Sequence, residues 1–388
     1  MIYYLYSPIL AIVMRKIELV DLKNQYKRIQ PELDIAIQDV LESTSFINGP
    51  AVKKFKENLS AYIDGASVIP CANGTDALQI CMMALGLRSG DEVLVPAFTY
   101  AATAEVIALL GLTPRFVDVD ADSFNINVEK MREATGPQTK AIVPVHLFGQ
   151  CADMEPILEW AKEKNLHVIE DLAQSIGARY TFSTGEQKHC GTMGDVGAIS
   201  FFPSKNLGCY GDGGAMVSTD ALLAETCRII SNHGQTKLYY HDMVGVNSRL
   251  DSLQAAILDV KLKHLNSYTK TRNQVADRYD EQLKNIEQLA IPFRFSKSTH
   301  VFNQYTLTIK DGSRNALKAE LDARQIPHKV YYPVPLHLQK AYNVAGYKPG
   351  DFPVAEELCE TVLSIPMHTE LDEEQIDFIG DCIYKFYK

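Results

Sequence analysis

Gly197-Ala-Ile-Ser-Phe-Phe-Pro-Ser-Lys-Asn-Leu-Gly-Cys-Tyr-Gly-Asp-Gly-Gly214 begins as an apolar strand and breaks at Phe202 into a glycine-rich loop that carries Lys205. A lysine leaving a strand into such a loop stands at the carboxyl edge of a parallel sheet, where α/β proteins bind ligands; a solvated surface lysine is the plainer alternative. Upstream, His167-Val-Ile-Glu-Asp-Leu-Ala-Gln174 reads as a buried strand ending in an acid, Asp171, with Gln174 three residues on. A helix cap or a loop-solvated carboxylate would explain that acid alone. Further upstream, Cys71-Ala-Asn-Gly-Thr-Asp-Ala77 joins a strand to an apolar helix. The free N–H groups of that helix start, the bare backbone of Gly74 and the Thr75 hydroxyl form an anion site suited to a phosphate, or a simple helix cap.

Around these stretches the chain alternates between short apolar runs and helical segments. Strands are expected at 67–70, 92–96, 115–119, 141–145, 167–171, 197–202 and 215–218, and helices at 73–85, 101–110, 154–164 and 221–231. That alternation implies βαβ units and a mostly parallel central sheet with helices on both faces, an α/β fold. After Gly245 the pattern changes. Leu250, Leu253, Ile257 and Val260 mark one face of a long helix, and a second helical stretch is read at 268–283. Strands at 304–309 and 327–332, with helices at 314–323, 355–363 and 372–387, complete a smaller α+β C-terminal domain. The division expected is 1–14 as an N-terminal extension, 15–255 as a large ligand-binding domain and 256–388 as the small domain.

With 38 Lys plus Arg against 48 Asp plus Glu, the net charge of −10 argues against nonspecific nucleic-acid binding, which needs a basic footprint. The 46% hydrophobic content supplies a large core. The eight cysteines form no Cys-x-x-Cys pair and no metal-ligand spacing, so no metal site is expected and the cysteines read as buried reduced thiols of a cytoplasmic protein. The opening MIYYLYSPILAIVM is apolar but shorter than the roughly 20 residues that span a bilayer, and it lacks the features of a secretory signal. It reads as an extension ahead of a start at Met14, or as a segment packed on a neighbour.

Neither G-x-G-x-x-G nor G-x-x-x-x-G-K-[ST] occurs, so dinucleotide binding and P-loop chemistry lose their usual fingerprints. A phosphate site, a strand-end acid and a lysine after another strand fit pyridoxal 5'-phosphate instead. The lysine forms an imine with its aldehyde, the acid keeps the pyridine nitrogen protonated, and the helix start anchors its phosphate.

With CANGTDAL at 71–78, PAFTYAATAE at 96–105, VIEDLAQSIGA at 168–178, SFFPSKNLGCYGDGG at 200–214, GVNSRLDSLQAAI at 245–257 and YYPVPLH at 331–337, the chain resembles the DegT/DnrJ/StrS family of nucleotide-sugar aminotransferases, of the aspartate aminotransferase (type I) fold. The resemblance implies roles for named residues. Lys205 would be the catalytic imine lysine, Asp171 the partner of the pyridine nitrogen, and Gln174 a donor to the ring hydroxyl. Tyr100 would cover the ring, Gly74, Thr75 and Ser200 would hold the phosphate, and Asn247 would reach the phosphate of a neighbouring subunit, which makes a homodimer part of the site. Glutamate would be the donor, leaving as 2-oxoglutarate, and a nucleotide-diphosphate keto-sugar the acceptor, for surface polysaccharide. The branch most resembled aminates UDP-2-acetamido-2-deoxy-3-oxo-glucuronate. Arg249 is the candidate for a substrate carboxylate, or an ion partner of Asp251 at a helix start. Tyr331, Tyr332 and His337 resemble sugar-nucleotide contacts, or packing and a loop cap. A 4-keto-sugar aminotransferase, a sugar dehydratase of the same fold and a regulatory protein without turnover are the rival readings, and relatives of the dehydratase kind replace the lysine by histidine.

Overall fold

Val93, Leu94 and Val95 are all fully buried, yet Val93 and Val95 belong to one apolar cluster and Leu94 to another. Alternate side chains of the strand Glu92–Pro96 enter cores on opposite faces, the signature of a sheet covered on both sides. The computed structural model describes residues 14–342 and 346–388; the extension reading of residues 1–13 lies outside the described residues. Met14 packs against the core of the C-terminal part.

The central sheet has seven strands in the order Ser67–Cys71, Gly214–Ser218, Val196–Ser200, His167–Asp171, Thr139–Ile142, Glu92–Pro96 and Thr113–Val117. The last five are mutually parallel, whereas Gly214–Ser218 runs antiparallel to both its neighbours. This is the expected mostly parallel α/β core. The registers align its functional edge: Cys71 and Ser200 both pair with Gly214, and Asp171 pairs with Ala198.

The helix Ser252–Leu283 links this core to a three-stranded antiparallel sheet of Leu289–Ala290, Tyr305–Ile309 and Val362–Ile365. Its first half buries Leu258 in the large core, and its second buries Tyr279 against Tyr305 and Ile379. Three expectations need correction here. The two helical stretches at 250–260 and 268–283 are one helix, because no proline or glycine interrupts residues 252–283. The strand expected at 327–332 is only an isolated bridge between Lys329 and Ser364; Pro327, Pro333 and Pro335 leave the segment short of ladder donors. The helix expected to reach residue 363 stops at Thr361, and Val362–Ile365 pairs as a strand, as its β-branched start favours. Two helices not anticipated, Leu22–Ser43 and Pro50–Tyr62, pack on the long helix.

Cys151 and Cys190 form a disulfide, which corrects the expectation of eight reduced thiols; the other six are free and buried. The pairing follows from tertiary structure, since Cys190 ends a hairpin that folds back beside the Cys151 loop. Among the described residues no helix is long and apolar enough to cross a membrane.

Candidate active site

Three local structures deliver side chains to the carboxyl edge of the sheet. The helix Gly74–Ala84 is capped by Asn73, whose side chain accepts from the Asp76 N–H at 2.8 Å. The N–H groups of Gly74 and Thr75, first and second in the helix, have no intrahelical acceptor and face the end of the strand. A methyl group on Gly74 would lie 2.7 Å from the Ser200 Cβ. The bare backbone at Gly74 is therefore what lets the helix start sit against Ser200, and the cradle formed there suits a phosphate.

Asp171 is buried at the end of its strand. Its Oδ2 accepts from Thr103 Oγ1 at 2.9 Å and its Oδ1 from the Ala173 N–H at 3.1 Å. Burial raises its pKa, opposed by those two hydrogen bonds and by the charge of Lys205. Burial also lowers the pKa of Lys205, against the pull of Asp171. Desolvation thus outweighs attraction on both members of the pair, so Lys205 gives up its proton more readily than an exposed lysine does. The Lys205 side chain makes no hydrogen bond or ion pair among the described residues, so its amine is available to a ligand.

Gln174 is fixed from both ends. Its Oε1 accepts from the Phe148 N–H at 2.7 Å, and its Nε2 donates to the Tyr332 hydroxyl at 3.2 Å. Tyr332 lies 6.2 Å, centroid to centroid, from the ring of Tyr100 and 5.8 Å from that of Tyr331. Tyr100 is 61% exposed, so one face of its ring is open to a ligand over the sheet.

The segment with Asn247 and Arg249 is tied to the phosphate cradle through Ser248, a residue the sequence reading missed. Ser248 Oγ donates to Asp76 Oδ2 at 2.6 Å and accepts from the Ala72 N–H at 3.0 Å. Asn247 itself is exposed. Arg249 forms no hydrogen bond or ion pair among the described residues, and the Asp251 pairing that the sequence allowed is not made. The His337 side chain is fully enclosed, with Nε2 3.1 Å from Glu356 Oε1 and its ring against Phe352.

Sequence reasoning also missed Thr103, although it lies in the quoted 96–105 stretch, and the support behind Asp171. The Glu170 carboxylate accepts from the N–H groups of Gly191, Met193 and Gly194. It also accepts from His146 Nε2, which carries the proton because Nδ1 accepts from the Ala152 N–H. Among the described residues no group of His, Cys, Asp or Glu is placed to hold a metal ion.

A desolvated lysine with no side-chain hydrogen bond, a buried strand-end carboxylate and an open helix start, at one edge of this sheet, define an aminotransferase that works through pyridoxal phosphate. The chain belongs to the DegT/DnrJ/EryC1/StrS aminotransferase family, whose profile matches residues 27–384. It is 45% identical over 363 residues (94% of this chain, 98% of the relative) to a UDP-2-acetamido-2-deoxy-3-oxo-D-glucuronate aminotransferase of Pseudomonas aeruginosa. A pleiotropic regulatory protein of Geobacillus stearothermophilus is 44% identical over 374 residues, 96% of this chain and 99% of that one. A UDP-N-acetyl-3-dehydro-α-D-glucosamine 3-aminotransferase of Acidithiobacillus ferrooxidans is 42% identical over 367 residues, 95% of this chain and 97% of the relative. Among solved structures, NtdA of Bacillus subtilis with bound cofactor PMP superposes with a TM-score of 0.87 at 30% identity, over 96% of this chain and 85% of that one.

Proposed function

We propose that this chain transfers the amino group of glutamate to carbon 3 of a UDP-linked 3-oxo sugar, with UDP-2-acetamido-2-deoxy-3-oxo-glucuronate as the substrate it fits best. The observation that carries the uronate is Arg249, a guanidinium without a partner two residues beyond Asn247 and next to the anchored Ser248. A buried or half-buried guanidinium left unpaired by the protein suits a bidentate carboxylate. The relatives support position 3 over position 4, since the substrates named for the Pseudomonas and Acidithiobacillus enzymes share a 3-oxo group on a UDP-linked N-acetylated sugar.

The chemistry supplied by pyridoxal phosphate when bound is an electron-withdrawing ring that carries an amino group from the donor to the acceptor. Lys205 would hold the cofactor through its side-chain amine and, once released from it, would be the group of this chain that carries a proton on the substrate side. Asp171, held by Thr103 and Ala173, would keep a proton on the ring nitrogen. Gln174 would donate to the ring hydroxyl, Tyr100 would cover the ring face, and Gly74, Thr75 and Ser200 would hold the phosphate. Asn247 is assigned to the phosphate bound by a second copy of the chain, so the active unit is a homodimer. Tyr331 and Tyr332 line the sugar-nucleotide side. The enzyme is placed in the cytoplasm, supplying an amino sugar for surface polysaccharide such as O-antigen. The proposed boundary between large (15–255) and small (256–388) domains falls inside the helix Ser252–Leu283, which would couple the two.

A regulatory role without turnover is the second reading, favoured by the name of the Geobacillus relative. One experiment separates the two. Protein loaded with pyridoxal phosphate is mixed with glutamate alone, and 2-oxoglutarate and absorbance are followed; one equivalent of product per site supports the transaminase. The resulting amine form is then offered 3-oxo and 4-oxo UDP-sugars. No reaction with glutamate would favour the regulatory protein, and preference for a 4-oxo sugar would move the substrate assignment.

A further inference from the structure

Lys261 is a buried cation that the reaction does not use. It is 1% exposed, has no carboxylate partner among the described residues, and sits with Nζ 5.0 Å from the centroid of the Tyr210 ring. Its one side-chain hydrogen bond among the described residues runs to the Gly208 carbonyl. Burial lowers its pKa to about 8. A methionine would fill this apolar space without that desolvation, so the geometry must account for the ammonium.

Gly208 belongs to the loop that carries Lys205. The loop is closed at its base by the Cys209 N–H donating to the Phe201 carbonyl at 2.8 Å, and Lys205 N donates to the Phe202 carbonyl at 2.8 Å. A Cβ on Gly208 would stand 2.4 Å from the Pro203 carbonyl oxygen, so the loop doubles back tightly at the point Lys261 grips. Gln254, seven residues before Lys261 on the same helix face, holds Tyr210, two residues beyond Gly208. Its Oε1 accepts from the Tyr210 N–H at 2.8 Å and its Nε2 approaches the Tyr210 carbonyl at 3.5 Å. On the far side Asn206 donates to the Val301 carbonyl at 2.9 Å and accepts from Asn303 at 3.0 Å.

We infer that Lys261 and Gln254 are positioning residues, a clamp through which the long helix sets where Lys205 points. Lys261 does not act on Lys205 as a charge, because the lowered basicity of Lys205 arises from burial and is opposed by Asp171 alone. Its action passes through the loop backbone. The inference rests on Lys205 being the attachment lysine.

The test uses full-length apo-protein and two cofactor forms. Pyridoxal phosphate condenses with the Lys205 amine, releasing one water, and the product is trapped by borohydride; pyridoxamine phosphate fills the same site and makes no bond to the lysine. Lys261→Met is expected to melt cooperatively and bind pyridoxamine phosphate within about twofold of wild type, while the rate of reducible attachment of pyridoxal phosphate falls by about tenfold to a hundredfold, the scale of a reacting group displaced by an ångström. Attachment at the wild-type rate, or equal loss with both cofactor forms, overturns the clamp. Gln254→Leu is measured in parallel and decides the matter by the same outcomes where Lys261→Met does not fold. No attachment to Lys205 in the wild type would sink the functional reading, and the clamp with it.

Discussion

Thr103 Oγ1 donates to Asp171 Oδ2 across 2.9 Å of protein interior, joining a helix that follows one strand to the end of another. Burial works against the Asp171 charge, and this hydroxyl is among the groups that sustain it. Removing the donor leaves a buried carboxylate oxygen unpaired. Thr103→Val, nearly isosteric, should therefore raise the Asp171 pKa further and weaken its hold on the ring-nitrogen proton. A hydrogen bond to a charged group is worth about 1.5–3 kcal/mol, so both half-reactions should slow by roughly ten- to a hundredfold. Single-turnover rates with glutamate and with the keto-sugar check this; a loss confined to one substrate would place Thr103 at that substrate instead.

The phosphate cradle makes a separate prediction. In Gly74→Ala the new methyl would stand 2.7 Å from the Ser200 Cβ and 3.1 Å from its Cα, so backbone as well as side chain must move. Overpacking of this kind costs about 1–3 kcal/mol, and the displaced N–H groups should release cofactor on dialysis. Adding Ser200→Gly gives the methyl room. The double variant should recover melting temperature yet still lose cofactor, and tight retention by either variant would put the phosphate elsewhere.

How far the site could be read in advance follows from contact range. Asp171, Gln174 and Lys205 were legible because each lies within a few residues of its own strand end, where the local pattern already gives the edge of the sheet. The partners that orient them come from far along the chain. Gln174 is held by Phe148 and Tyr332, 26 and 158 residues away, and Asp171 by Thr103, 68 residues away. Only the strand order, with Glu92–Pro96 two places from His167–Asp171, brings these together. The Cys151–Cys190 pair escaped for the same reason, since its spacing of 39 residues carries no pattern. In the small domain the local signals were equivocal. Val362–Ile365 extends a helical run in sequence, and pairing with Tyr305–Ile309 decides it as a strand.

Two desolvated histidines are expected to cost stability as the pH falls. His300 stacks on Phe302 at 3.9 Å, and burial lowers its pKa to about 3. His368 Nδ1 accepts from the Glu370 N–H while Nε2 donates to the Glu18 carbonyl, and burial lowers its pKa to about 4. Each binds fewer protons folded than unfolded. Their contribution is complete above the unfolded value of 6.5 and is lost as pH falls toward 3 for His300 and 4 for His368. In that window each should cost about 1.4 kcal/mol per pH unit. Urea unfolding between about pH 7 and about pH 5 reads the slope, and His368→Gln should flatten it by one histidine's share. An unchanged slope would mean that His368 is charged in the folded state.

The substrate assignment turns on Arg249. Its guanidinium has no partner among the described residues, and the adjacent Ser248 is fixed to both Asp76 and the Ala72 backbone. If Arg249 grips the uronate, Arg249→Gln loses charge-assisted hydrogen bonds worth about 1.5–3 kcal/mol, or roughly ten- to a hundredfold in kcat/KM. The comparison must avoid glutamate, which also carries carboxylates, so the enzyme is first converted to its amine form with pyridoxamine phosphate. It is then reacted once with the 3-oxo-glucuronate derivative and once with the 3-oxo-glucosamine derivative, which differ in the carboxyl group and share the nucleotide, the acetamido group and the reacting carbon. The variant should lose its efficiency on the first and keep most of it on the second. Equal losses would show that Arg249 supports the nucleotide or the fold of its own segment, and the uronate would then need another cation.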